Sequence, residues 1–290
     1  MSQRLQIGLL FSLPVLLLGA LYAVGAAIPV PVLWRDYVVR VPLPEEGGTI
    51  GLPEILGPDD PTRPLIVIDA GHGGPDPGTV SEDYREKAIV LGLARALRDR
   101  LLEEGGIRVA MTRDDDSFIV LDERAEIARA LGADLFLSIH ADSAGDREGV
   151  TGASIYTLSE TASSEAAARF AEKENSVDVV NGVDLSGQDE TVNAILVELS
   201  QRRTSEQSVE FAELIQREGE GVLRFHPQAR RSAALAVLRA PDVPGVLFEA
   251  GFVTNPEDAE RLASAEGRER FADAMARAIR IYFARQSGAT

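Results

Sequence analysis

Short apolar runs alternate along the chain with longer segments in which apolar residues recur every three or four positions. The runs have the length and branched side chains of buried strands, and the longer segments have the period of helices that bury one face. The runs predict strands at residues 65–69, 107–111, 135–140, 152–158, 235–239 and 245–250. The longer segments predict helices near residues 84–104, 121–132, 163–175, 188–202, 206–223 and 266–284. This alternation predicts an α/β fold with a largely parallel sheet of about six strands.

The N-terminal segment departs from this pattern, because it is uncharged from Ile7 to Trp34 and follows Arg4. About 20 apolar residues can span a bilayer as a helix, and a cationic start is typical of export signals. Small residues at 23–27 are a candidate cleavage site, but the apolar run exceeds the roughly 7–15 residues of a signal peptide. We therefore favour an uncleaved transmembrane helix over residues 1–34. Anchoring and cleavage both export the rest of the chain, which predicts a periplasmic protein held at the inner membrane, or one secreted after cleavage.

Residues 35–63 are rich in proline and glycine and predict a linker, so that the globular domain extends over 64–287. The chain contains no cysteine, which excludes disulfides and cysteine-based zinc sites. Its formal net charge of −17 makes nucleic acid an unsuitable partner, since binding phosphates requires clustered basic side chains.

Two of the three histidines, His72 and His140, lie at or just past the ends of predicted strands. Glu249 occupies the equivalent place in a third apolar run. Open α/β sheets form their sites at the carboxyl ends of the strands, so we expect these three side chains to meet there. Two imidazoles and a carboxylate at one edge of a sheet indicate a metal site. The glycine-rich loop around His72 lacks the Gly-Lys-Ser/Thr of a phosphate-binding loop.

Glu86 is the candidate third metal ligand, because it extends the apolar stripe of the first predicted helix back by one turn. A carboxylate on that inward face must be paired or coordinated, although a helix-start glutamate in solvent is the alternative. Two histidines, one glutamate and a water form a known catalytic zinc arrangement. Glu249 could close the site as a ligand or accept a proton from the activated water, and we prefer the second role. His226 is interpreted as a loop residue without function.

Four segments together resemble the zinc-dependent N-acetylmuramoyl-L-alanine amidases of bacterial cell walls, in particular the type that separates daughter cells. They are IVIDAGHGG at residues 66–74, REK at 85–87, SIHAD at 138–142 and VLFEAGFVTNP at 246–256. Each segment alone is a modest signal, whereas all four in the family's order are specific. The resemblance extends over about residues 65–286.

The resemblance implies a twisted, mostly parallel sheet with helices on both faces, and peptidoglycan as the substrate. It implies that His72, Glu86 and His140 bind Zn²⁺ and that Glu249 is catalytic. The implied reaction is hydrolysis of the amide between the lactyl group of N-acetylmuramic acid and L-alanine. Two alternatives stay open, a zinc peptidase that cuts the peptide stem and a non-catalytic cell-wall-binding regulator.

The segment at about 159–225 is strongly acidic, mostly helical in pattern and interrupts the alternation of strands. It is either a solvated helical excursion or a regulatory insertion. It resembles the insertion of family members in which a helix covers the active site until an activator protein removes it. We expect that helix at about 184–205, with Asp189, Glu190 and Glu198 as candidate carboxylates.

Overall fold

The structure, a computed structural model, describes residues 51–143, 149–176, 179–180, 183–184 and 194–288, without the side chains of 179–200. The transmembrane helix predicted at 1–34 and the linker up to residue 50 lie outside these ranges. Within them, no helix is both long and apolar enough to cross a bilayer. The described residues belong to one unit of the chain, Thr49–Thr290.

The elements of this unit follow in chain order, with a short 3₁₀ turn at Ala236–Leu238 before the last strand. They are β1 (Leu65–Ala70), α1 (Glu86–Glu104), β2 (Arg108–Met111), α2 (Leu121–Ala130), β3 (Leu135–Asp142), β4 (Ala153–Leu158), α3 (Glu165–Asn175), β5 (Val179–Val180), β6 (Val183–Asp184), α4 (Ala194–Gly219), β7 (Phe225–Ala233), β8 (Gly245–Phe252), α5 (Pro256–Ala263) and α6 (Ala265–Gly288).

Six of the strands form one sheet in the order β2-β1-β3-β8-β4-β7. The first four strands of this order are parallel, whereas β4 is antiparallel to β8 and parallel to β7. The predicted mostly parallel α/β sheet is therefore confirmed. Its topology brings the ends of β1, β3 and β8 and the start of β4 to one edge, which we call the site edge.

Helices cover both faces of the sheet, as predicted. On one face, Ile66 and Ile68 of β1 belong to a core with residues of α1, α4 and α6. On the other face, Leu65 and Val67 belong to a second core with residues of α2 and α3. Burial on both sides explains why β1 is apolar at nearly every position, as is usual for a central parallel strand.

One predicted strand is wrong, and the sixth strand lies elsewhere. Residues 235–239 contain the 3₁₀ turn, and their apolar side chains are buried against the face that carries α2 and α3. The strand is β7, which the sequence pattern missed because an edge strand tolerates polar residues and proline, here Pro227. The helices predicted at 188–202 and 206–223 are one helix, α4, over their described part.

The end of the predicted linker is in contact with the sheet. The backbone of Leu56 forms two hydrogen bonds with Val109 of β2, at 2.8 and 2.9 Å. Residues just before β1 therefore already pair with the domain, although the sequence places them in the linker at 35–63.

Candidate metal centre

His72 lies immediately beyond β1 in a constrained conformation. It is the residue other than glycine with a positive φ among those described, at 61°, a conformation that costs free energy and persists only where the surroundings enforce it. Its Nδ1 is 2.7 Å from an oxygen of Asp76. That contact orients the ring so that Nε2 faces the centre of the site, which is how a carboxylate commonly orients a metal-binding histidine.

Two buried arginines hold the loop that carries His72. Arg113 donates a hydrogen bond of 2.6 Å to the carbonyl of Gly71, and Arg124 donates one of 2.9 Å to the carbonyl of His72. Arg124 also pairs at 2.7 Å with Asp69, which is fully buried in β1. The backbone around His72 is thus tied to the sheet by charge-assisted hydrogen bonds.

Glycines allow the close approach of the site's side chains. A Cβ at Gly71 would lie 2.4 Å from the His140 ring. At Gly78, where φ is +64°, a Cβ would lie 2.7 Å from the carboxylate of Glu86 and from the His72 ring. Both positions therefore require glycine, because any larger residue would displace a side chain of the site.

Glu86 is the first residue of α1 and is fully buried, as its place on the apolar stripe predicts. Its Oε2 accepts a hydrogen bond of 2.8 Å from the Thr79 N–H, and its Oε1 accepts one of 2.8 Å from the Ala141 N–H. Oε1 also lies 2.9 Å from His72 Nε2 and 3.3 Å from His140 Nδ1. The backbone therefore fixes this carboxylate between the two imidazoles.

A second carboxylate reaches the same two imidazoles from α3. Glu174 Oε2 lies 3.2 Å from His140 Nδ1 and 3.8 Å from His72 Nε2. Its other oxygen is 3.3 Å from the amine of Lys173. Glu174 is only 4% exposed, so α3 places a buried negative charge in the middle of the site.

The donor atoms fit a zinc ion. His72, His140 and Glu174 offer atoms that lie within 4.8 Å of one another, and Glu86 contacts both imidazoles. The four nitrogen-to-oxygen distances are 2.9 to 3.8 Å, and donors about 2.0–2.2 Å from a tetrahedral zinc lie about 3.3–3.6 Å apart. His72 Nε2 and His140 Nδ1 are buried and lack a hydrogen bond of suitable geometry to the described residues. Buried lone pairs of this kind are available to a metal.

Without a metal, the carboxylates hold protons on the histidines. Burial opposes a charged His72, but Glu86 and Asp76 prevail and raise its pKa to about 9. Burial likewise opposes a charged His140, but Glu174 and Glu86 raise its pKa to about 10. Metal binding must release these protons, so metal affinity is expected to fall as pH falls.

Glu249 lies beside His140, since the two residues are paired in the register of β8 and β3. It is 3% exposed, and neither carboxylate oxygen has a hydrogen-bond partner among the described residues. Burial raises its pKa well above the usual value, and the charges of Asp142 and Glu86 raise it further. A bound cation would counter that shift. Glu249 is therefore close to the metal centre and free to bond a water.

The structure brings together all four residues predicted from the sequence, His72, Glu86, His140 and Glu249. It adds Glu174, which the sequence analysis missed. A signal for it exists, since Glu174 continues the buried stripe of Ala167, Phe170 and Ala171 on α3, as Glu86 does on α1. His226 is not part of the cluster. It lies at the start of β7, where its Nδ1 accepts a hydrogen bond of 3.0 Å from the Gln228 N–H.

An α/β domain with two histidines and buried carboxylates at one sheet edge has the make-up of a metal-dependent hydrolase. Residues 66–280 match the Amidase_3 family, described as N-acetylmuramoyl-L-alanine amidase. AmiA of Escherichia coli K12 is 38% identical over 221 residues, which cover 76% of this chain and 76% of that relative. AmiC of Escherichia coli O6:H1 is 36% identical over 231 residues, which cover 79% of this chain and 54% of that relative.

Among solved structures, the amidase AmiC2 of Nostoc punctiforme matches with a TM-score of 0.54 and 28% identity. The match covers 76% of this chain and 97% of that chain. The protein therefore belongs to the N-acetylmuramoyl-L-alanine amidases of the Amidase_3 family.

Proposed function

We propose that the protein hydrolyses the amide between N-acetylmuramic acid and L-alanine in peptidoglycan with a zinc ion bound by His72, Glu86 and His140. The observation that carries this proposal is the pair of buried imidazole nitrogens that face Glu86 and have no hydrogen bond of suitable geometry among the described residues. Family membership supports the amide as the bond that is cut.

The chain's own residues account for the proton movements. Zinc, when bound, supplies Lewis-acid activation of the amide carbonyl and of water. Glu249 accepts the proton of the attacking water and donates it to the amide nitrogen as the bond to L-alanine breaks. Its two oxygens, which no described residue bonds, are available for both transfers. Asp76 keeps the His72 ring oriented throughout.

The proposal includes autoinhibition by the insertion, with Glu174 as the carboxylate that blocks the centre. Glu174 contacts both imidazoles and occupies space that water and the substrate carbonyl need. The helix predicted at about 184–205 stays a prediction. The candidate carboxylates Asp189, Glu190 and Glu198 lie outside the described residues or side chains. The supporting contact comes instead from α3, earlier in the same acidic insertion.

Removal of α3 requires a partner that binds the open form better than the closed one, and a full shift needs about 5.5 kcal/mol of preference. An activator protein would supply this difference. The inner-membrane anchor, the periplasmic location and a role in cell separation likewise remain predictions from the sequence. Together they describe an exported enzyme that is inactive until an activator protein displaces α3.

The test compares the full chain with a Glu174→Ala variant on dye-labelled peptidoglycan. Chelation should abolish dye release, and added zinc should restore it. Glu174→Ala should raise the initial rate about tenfold at equal zinc content, because the closed form loses its contact with the centre. Product analysis should find free lactyl carboxyl groups and peptides that begin with alanine. Cleaved bonds within the peptide would instead identify a peptidase.

Glu172→Ala is the matched control, since Glu172 is an exposed glutamate of the same helix. It should behave as the unmodified chain. Equal rates for the Glu174→Ala variant and the unmodified chain would refute autoinhibition by α3 and leave the zinc amidase proposal intact. Dye release that survives complete removal of zinc would refute the metal assignment.

A further inference from the structure

Arg231 of β7 has neighbours unlike those of the arginine beside it. Its Nε donates a hydrogen bond of 3.0 Å to the carbonyl of Gln228, and its Nη2 is 3.0 Å from His226 Nδ1. Its Nη1 donates one of 3.3 Å to the Tyr156 hydroxyl. Among the described side chains, no carboxylate lies within ion-pair distance of this guanidinium, whereas Arg230 pairs with Glu213 at 2.5 Å. Arg231 is half-buried, and no carboxylate of the described side chains neutralises its charge.

Arg231 lies on the face of the sheet that carries the catalytic glutamate. Tyr156 of β4 is opposite Arg231 on one side and opposite Leu247 of β8 on the other. Glu249, two residues beyond Leu247, is therefore the diagonal neighbour of Tyr156 on the same face, about 7–8 Å away. Burial raises the pKa of the Tyr156 hydroxyl, and the charge of Glu249 raises it further, in agreement with this placement.

The same helix that brings Glu174 to the centre covers this row of residues. Phe170 of α3 stacks on the Tyr156 ring, with ring centroids 4.5 Å apart. Displacement of α3 would therefore expose a continuous floor from Glu249 across Tyr156 to Arg231. Its length is about two strand spacings, or roughly 10 Å.

We propose that Arg231 binds a free carboxylate of the peptide that leaves with L-alanine, an inference that rests on the proposed amidase function. Hydrolysis leaves the sugar and its lactyl group on one side of the cut bond and the peptide on the other. The peptide carries free carboxylates, and an arginine fork matches their geometry. An extended peptide advances about 3.3–3.6 Å per residue, so roughly 10 Å places the carboxylate on the second or third residue. Arg231 is in this account a substrate-binding residue that selects acidic peptides.

The experiment uses two soluble muramoyl-peptides of equal length, one with free carboxylates and one with the same groups converted to carboxamides. For each variant of the full chain, the ratio of the two kcat/KM values is measured. This ratio does not depend on the fraction of closed molecules or on zinc content, because both substrates meet the same active population. The unmodified chain should prefer the acidic peptide about tenfold, the usual effect of a charge-assisted hydrogen bond.

Arg231→Gln should reduce the preference to about one. Arg231→Lys should retain part of it. Arg230→Gln is the matched control on the opposite face of β7 and should keep the full preference. A ratio near one in the unmodified chain, or an unchanged ratio in Arg231→Gln, would overturn the proposal.

Equilibrium binding of the two peptides separates this inference from the proposed function. If the zinc-loaded chain hydrolyses neither peptide, the amidase proposal fails. The carboxylate site is then judged by the ratio of the two Kd values. A tenfold preference for the acidic peptide that disappears in Arg231→Gln supports the site, and equal Kd values refute it. Circular dichroism of each variant checks that the fold is kept.

Discussion

The side chains of the candidate metal centre are held in two different ways. His72, Glu86 and His140 are fixed by the sheet edge, by backbone N–H groups and by buried arginines. Glu174 arrives on α3, which is attached by side-chain hydrogen bonds, by the stacking of Phe170 on Tyr156 and by three residues buried in the core of that face, Ala167, Phe170 and Ala171. We call the first group the platform and α3 the cover.

Because the platform and the cover are held by different contacts, we expect them to differ in how easily they move. If the Glu86 carboxylate moved away, the buried N–H groups of Thr79 and Ala141 would lose their hydrogen-bond acceptor. This loss costs free energy. Besides its buried apolar residues, the cover is held by Lys173, which contacts Thr79 at 3.2 Å and Asp142 at 3.3 Å, and by Asn175. Side chains such as these can exchange one partner for water. The platform is therefore expected to stay in place, and the proposed autoinhibition requires only the cover to move.

The strongest way to break the platform is to remove both imidazoles. A His72→Ala, His140→Ala double variant should lose its zinc, falling from about one ion per chain to none, and should lose all amidase activity, because two protein ligands are gone. Metal analysis of the purified protein measures this directly. Retention of one zinc ion per chain in the double variant would show that the ion binds elsewhere.

Glu249→Gln separates chemistry from metal binding within the platform. The amide keeps the shape of the carboxylate but cannot accept a proton, so the rate should fall about 10²–10⁴-fold while zinc stays bound. Paired measurements of dye release and zinc content test this. Loss of zinc in this variant would instead make Glu249 a ligand and would contradict its role as the base.

The smallest effect should come from loosening the cover without touching the metal. The Asn175 amide donates a hydrogen bond of 2.8 Å to the Ala234 carbonyl and accepts one of 2.8 Å from the Ala236 N–H. Asn175→Ala should raise the basal rate several-fold, since each hydrogen bond contributes about 1 kcal/mol to the closed form. Arg169→Ala, at an exposed position of the same helix, is the control. Equal rates for both variants would mean that Asn175 does not hold the cover.

The platform could be predicted from the sequence because its residues lie at the ends of strongly patterned elements. His72 lies just past the apolar strand β1, His140 lies near the end of β3, and Glu86 continues a long apolar helical stripe. Glu174 continues the buried stripe of α3 in the same way. The acidic composition of the insertion instead favours residues 184–205 as the covering helix. The attachment of α3 depends on contacts between residues far apart in sequence, such as the hydrogen bond between Asn175 and Ala234. The periodicity of apolar residues does not predict such contacts.

The edge strand β7 was unpredictable for a related reason. Its residues Arg230 and Arg231 face opposite sides of the sheet, and each is stabilised by a different neighbour. No apolar alternation marks such a strand, because one of its edges and parts of both faces contact solvent or polar groups. The apolar stretch at 235–239 matches the pattern of a strand because it is buried.

The reversed direction of β4 has a mechanical consequence. β4 begins at the site edge, so its last residue lies at the opposite end of the strands. There the N–H groups of Ser159 and Ser163 donate hydrogen bonds of 3.0 and 2.9 Å to the carbonyls of Ala233 and Ser232 in β7. From that pivot α3 runs back along the sheet, about 16 Å for 11 residues, and ends near Glu174. A rotation of about 20° at the pivot would carry the tip roughly 5 Å, which exceeds the 3.2 and 3.8 Å between Glu174 and the two imidazoles. A small tilt of α3 therefore produces its largest displacement at Glu174, and the proposed opening does not require the start of the helix to unfold.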